Sequence, residues 1–216
     1  GRGDEAAGRV TGRRGRRSGA FFLRLGADGQ ARGAPRSVAS SRLVPRFAAT
    51  EEGYLVATLG DEDVAIRLLD PRGRRPQITW TTAGRFDQLD LAVSTTGQPV
   101  LVTRLNFPRA LFARPLDPNG VPLPHPSEPL HAIGRWGRVM VVPVAQGQLT
   151  PPEGAHLLPP DSSLETQDGD HLVVWQHGPF AEADIGIFRA GARVGGFGLP
   201  RQIYGETRAL EFPLPG

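Results

Sequence analysis

An all-β chain built from short antiparallel meanders is the fold class this sequence predicts, and three observations predict it. Gly and Pro together occupy 49 of the 216 positions, 28 and 21 respectively, about twice their ordinary share. Such dense punctuation suits many short strands joined by turns and argues against long helices. Apolar residues come in bursts of four to eight, a strand length and not a helical period. The third observation is internal repetition, which decides how the strands are grouped.

Three segments share a glycine in a tight turn followed by an apolar run: FAATEEGYLVA (47–57), LAVSTTGQPVLVT (91–103) and LETQDGDHLVVW (164–175), with Gly53, Gly97 and Gly169 at the turns. Each is followed by a further strand, an arginine and a turn: VAIRLLDPRGRRP (64–76), LFARPLDPNGVPLP (111–124) and IGIFRAGARVGG (185–196). In all three, glycine stands six residues after the arginine: Arg67 to Gly73, Arg114 to Gly120, Arg189 to Gly195. Asp-Pro-x-Gly supplies a side-chain acceptor, a preset φ and a residue free to take positive φ, which together specify a turn. A hairpin plus the arginine-bearing strand gives a meander of three or four strands. The inner runs GYLVA, PVLVT and HLVVW are almost continuously apolar, as expected when both faces of a sheet are covered. The first two units lie 44 to 47 residues apart, and small sheets stacked face to face at such a spacing describe β-propeller blades.

Taken in order, residues 1–18 form an Arg/Gly-rich tail without apolar periodicity, read as flexible. FFLRLGADGQARG (21–33) supplies half a blade. Two complete units follow, residues 131–162 are an irregular insertion whose RVMVVPVAQGQLT reads as a degenerate half-copy, and a last unit ends near residue 203. The 19–216 domain is therefore a propeller of four to five antiparallel blades, or part of a larger propeller. Ala209–Phe212, within TRALEFPLPG, would pair with Phe21–Leu25 to close the ring and remove an exposed edge.

DGDHLVVWQHGPFAEADIGIFRAGARVGG resembles a bacterial repeat family whose copies read Asp-Gly, a Val-rich strand ending in Trp, an acidic loop, an Ile or Val strand, Arg and a Gly turn. The resemblance is good over 168–196 and looser over 47–76 and 91–124, where Ala57 and Thr103 stand in place of the Trp. It implies β-propeller regions of large secreted or cell-surface proteins, an extracellular or cell-envelope location, and little about activity.

All 25 basic residues are arginine, read first as a codon-composition signature of a GC-rich genome. The formal charge is +3, and residues 1–17 alone carry six Arg against Asp4 and Glu5, leaving the remainder at −1. Arg13, Arg14, Arg16 and Arg17 are thus the candidates for binding a polyanion by counterion release, although a nearly neutral domain makes a nucleic-acid partner an unfavoured expectation. Arg2-Gly3-Asp4 in such a tail is a chance match to an adhesion tripeptide. RRSGAFFLRLG lacks the 7 to 15 residue apolar core of an export signal, because Arg24 interrupts it; a leader removed earlier stays compatible with a first residue other than Met. No membrane-spanning run is present. Without cysteine there are no disulfides, zinc-thiolate sites or cysteine nucleophiles.

His125, His131, His156, His171 and His177 form no metal-ligand spacing, and no cofactor motif occurs. Serine and threonine lie outside any nucleophile elbow, and no phosphate-binding glycine loop is present. Carboxylates gather at Asp61-Glu62-Asp63, at Glu165, Asp168 and Asp170, and at Glu182 and Asp184. Carboxylate pairs held across a sugar perform glycoside chemistry, so a polysaccharide-acting enzyme using channel-facing Asp61, Asp63, Asp168 and Asp184 is the alternative function. DPNG fits a turn better than a calcium loop. Trp80, Trp136 and Trp175 offer faces for stacking; Trp175 ends a core strand, whereas Trp136 lies between Arg135 and Arg138 in GRWGR. The leading expectation is a non-catalytic binding module that presents loops to a protein or glycan ligand, with Arg135, Trp136 and Arg138 as its contact residues.

Overall fold

The computed structural model describes residues 18–25, 28–74, 76–106, 110–124, 130–131, 139–158, 163–177 and 182–199. All regular structure among them is strand, and all strand pairing within the sheets is antiparallel. Among the described residues no helix is long and apolar enough to cross a membrane.

β1 (Ser18–Phe22) pairs with β2 (Arg36–Ser41) as a two-stranded ribbon. β3 (Arg46–Thr50), β4 (Gly53–Leu59), β5 (Asp63–Leu69) and β6 (Gln77–Ala83) form a four-stranded meander. The next is made by β7 (Phe86–Val93), β8 (Pro99–Leu105), β9 (Ala110–Pro115) and the short β10 (Leu130–His131). The two-residue strands β12 (Gly147–Gln148), β13 (His156–Leu157) and β14 (Glu165–Thr166) follow β11 (Val139–Pro143) in the chain, and the third sheet is made by β11, β13, β15 (His171–His177), β16 (Glu182–Arg189) and β17 (Ala192–Leu199). Its order is β11-β15-β16-β17-β13, and β12 pairs with β14 beside it.

The Asp-Pro-x-Gly turns form as their chemistry requires. Asp70 Oδ1 accepts from the N–H groups of Arg72 and Arg74 (3.0 and 2.7 Å), and Gly73 N–H donates to Asp70 O. Asp117 Oδ1 does the same for Asn119 and Val121 (2.9 and 2.8 Å), and Gly120 N–H donates to Asp117 O. Slight burial pushes the Asp70 carboxyl up, but the two N–H bonds and the Arg74 guanidinium hold it below its ordinary value. These carboxylates are committed to the backbone, which leaves DPNG a turn.

Strand alternation sends neighbouring side chains to opposite faces, and both faces are covered. From β4, Leu55, Ala57 and Leu59 join Leu89, Leu91 and Leu101 in one core, while Val56 packs with Ala20 and Phe22 of the β1–β2 ribbon in another. Val100 and Val102 of β8 turn the other way, to Val139, Val141, Val173 and Trp175. Leu172, Ile185 and Ile187 face a last core with Val144, Leu149 and Phe197. The sheets are thus stacked in chain order, each core holding neighbours in sequence, and this double coverage accounts for the continuous apolar runs. Three turn glycines seat on the preceding layer. A Cβ on Gly73 would strike the Phe22 ring, one on Gly120 would lie 2.5 Å from Ile66 Cγ2, and one on Gly191 would lie 3.0 Å from Pro115 Cδ.

The third unit departs from its sequence alignment in two places. Its first strand is β11, not LETQ: Thr166 binds Ala145 O and Gly147 O through its hydroxyl (2.7 and 3.2 Å), holding that segment in the β12–β14 ladder. The half-copy in the irregular insertion therefore supplies a sheet strand. Second, Gly195 lies inside β17 opposite Ile187, and the turn is Ala190-Gly191, with φ of 50° and 87°, the paired positive values of a type I′ hairpin. The equal arginine-to-glycine spacing is not an equal structure. Arg67 and Arg114 lie opposite Val56 and Leu101 and each reaches two residues along to a buried hydroxyl, Thr58 (2.6 Å) and Thr103 (3.0 Å). In the third sheet the corresponding positions are Gly186, opposite Val173, and Trp175. The indole fills the space that the arginine leaves, with its Cζ3 3.0 Å from where a Gly186 Cβ would be. The Ala209–Phe212 strand lies outside the described residues.

Candidate functional site

Stacking gives the molecule two ends. At one lie the turns at Gly53, Gly97 and Gly169: Thr50 Oγ1, beside the Gly53 turn, donates to Pro118 O of the Asp117–Gly120 turn (3.1 Å), and Gly169 N–H donates to Thr95 Oγ1 of the Gly97 turn (3.0 Å). At the other, where β3, β7 and β11 begin, Arg42 donates to Phe86 O (3.1 Å) and Arg85 lies 3.7 Å from Glu62. The separation is the length of a seven-residue strand, about 20 Å.

Where β3, β7 and β11 run side by side, one carboxylate joins all three. Asp90, 9% exposed, points Oδ1 at Arg46 Nε of β3 (2.7 Å) and accepts the Val141 N–H of β11 at Oδ2 (2.9 Å). The N–H groups along the free edge of a first strand need acceptors once covered. Asp90 supplies one and satisfies its own charge with Arg46. Nearby, the irregular register at Phe86/Gln88 isolates Asp87, and a bulge of this kind re-aims a side chain. Asp87 grips Arg104 through both oxygens (2.8 and 3.0 Å). Sequence reading missed both residues because it sought carboxylates in clusters. The available signal was Asp90 alone within the apolar run LDLAV, since a charge buried in a strand is rare unless paired.

Two further polar groups are built into the sheets. Arg189 forms a bidentate pair with Asp170 (3.0 and 2.9 Å), and this hydrogen bonding raises the arginine above its ordinary value. His171 beside them is buried, with no partner for Nε2 among the described residues. Burial pulls its pKa down to about 4, against the opposing pull of Asp170 and a hydrogen bond to the Gly169 backbone. Arg114 stacks 4.4 Å from the Phe112 ring centroid and 5.8 Å from that of Trp80, and burial lowers its pKa.

The sequence-predicted carboxylates do not converge. Asp61 and Asp63 flank the β4–β5 turn at the Arg42 end, Asp184 lies opposite Trp175 near that same end of the third sheet, and Asp168 is in the Gly169 turn at the other end. Among the described residues no group of three or more His, Asp or Glu is placed to hold a metal ion. Trp175 is buried, as a core residue should be. Arg135, Trp136 and Arg138, and the tail residues Arg13, Arg14, Arg16 and Arg17, lie outside the described residues; the described chain resumes at Val139, at the Arg42 end. No family model, curated protein or solved structure matches the chain.

Proposed function

We propose that this chain is a non-catalytic β-propeller module, of four to five blades or part of a larger ring, that binds a protein or glycan ligand at the Arg42 end. The observation that carries the reading is the junction at Asp90, where the first strands of three consecutive, face-stacked meanders lie side by side around one carboxylate. Blades radiating from a shared axis have that arrangement of first strands. The buried carboxylates Asp90 and Asp170 are spent on arginine and backbone partners, and Asp168 is a strand length from Asp61 and Asp63; both features favour binding over glycoside chemistry. The connection bearing Arg135, Trp136 and Arg138 leads into β11 at the proposed end, and an indole between two guanidinium groups suits a sugar face or an acidic, aromatic-rich loop.

A glycan array probed with the full chain tests the reading, with retained protein partners sought in parallel by crosslinking. Binding by either route is expected to fall in Trp136→Ala and in the Arg135→Ala/Arg138→Ala double variant. Release of reducing sugar by the wild type, lost in Asp61→Asn, Asp63→Asn, Asp168→Asn or Asp184→Asn, would overturn it in favour of an enzyme.

A further inference from the structure

The outer edge of the β3–β6 sheet is unlike that of the third sheet. The third sheet ends in the two-residue strand β13, and a short edge leaves little backbone for another strand to recruit. β6 is 7 residues long, and among the described residues nothing pairs with its outer side. Its sequence, Gln-Ile-Thr-Trp-Thr-Thr-Ala, contains none of the charged residues, prolines or glycines that discourage edge pairing. Ile78 is 55% exposed. The one irregularity in register falls at Thr79 and leaves Trp80–Ala83 regular.

Opposite charges stand at the two ends of this strand. DPRGRRP, residues 70–76, leads into it with three Arg and one Asp, a net +2. At its far end Ala83 pairs with Asp63 and Gly84 N–H donates to Glu62 O (2.8 Å). There Asp61, Glu62 and Asp63 with Arg85 sum to −2.

We propose that β6 is a homodimerisation edge, pairing antiparallel with β6 of a second copy across a two-fold axis. The antiparallel arrangement sets each basic end beside the other copy's acidic end, twice over. A parallel one would set like charges together. An isologous contact requires a self-complementary patch, and the neutral centre of β6 opposes no like charges. The end charges meet across roughly two strand spacings, about 10 Å, close to the screening length at physiological salt. Association is therefore tighter at low ionic strength.

Sedimentation equilibrium of the full chain, over a wide concentration range at low and high salt, tests this. A dimer is expected whose dissociation constant rises about tenfold or more in Ile78→Lys and in Ala83→Lys, both at exposed positions, with the circular dichroism and melting of the monomer unchanged. Arg72→Glu and Glu62→Arg should each weaken the dimer, and the double variant should restore it. A wild type that stays monomeric, a dimer indifferent to both lysines, or a charge exchange that fails to restore association would each overturn the proposal.

Discussion

His171 makes the stability of this protein depend on pH in a direction that can be worked out. The imidazole is 2% exposed, its Nε2 has no partner among the described residues, and its pKa falls from 6.5 to about 4 on folding. Between those values the unfolded chain takes up a proton that the folded chain refuses. Stability from this group is complete above pH 6.5 and declines as pH falls toward 4. The gap is about 2.5 units, and at 1.36 kcal/mol per unit the loss approaches about 3 kcal/mol. Urea unfolding of wild type and His171→Phe at a series of pH values isolates the term, because Asp170, Arg189 and the other carboxylates are common to both proteins. The stability of the wild type relative to the variant should decrease steadily below pH 6.5. Parallel curves, or an imidazole resonance absent from the variant that titrates near pH 6.5, would refute the reasoning.

Other perturbations follow from the turns and from Asp90. Gly120→Ala should cost about 2–4 kcal/mol in urea unfolding, since the methyl adds positive-φ strain (φ 87°) to a clash with Ile66 and Leu55. Gly97→Ala, at φ 83° with nothing within 4 Å, should cost only about 1 kcal/mol. Asp117→Ala removes an acceptor for two backbone N–H groups and should lower stability by about 1–2 kcal/mol, read from the melting temperature. Asp90→Ala, which strips the acceptor from Val141 N–H and the counter-charge from Arg46, should cost about 2–3 kcal/mol. It should also speed exchange of the Val141 amide.

The meanders and their turns were legible because their chemistry is local. Gly53, Gly97 and Gly169 all take positive φ, a requirement written into the residue type. The third unit was harder. Arg189 and Gly195 match the earlier copies by spacing, but pairing is set by which side chains fill the space between sheets, and Gly186 with Trp175 displaced the arginine–threonine solution. In sequence β11 shows only as a half-copy, since 27 residues part it from β15 and no local pattern specifies a partner at that distance. Asp90 is the same case: its partners lie 44 residues before it and 51 after, so the sequence shows a lone carboxylate and only the stack shows what it joins.

The seating of three turn glycines also sets an order in time. Gly73 rests on Phe22, Gly120 on Leu55 and Ile66, and Gly191 on Pro115, so the ribbon and the first two meanders are each finished by residues translated after them. A ribosome delivers the N-terminal half first, and each emerging sheet keeps one apolar face open until the next has been made. The growing chain is therefore most vulnerable along whichever face was synthesised last, and a pause in translation between meanders prolongs that exposure.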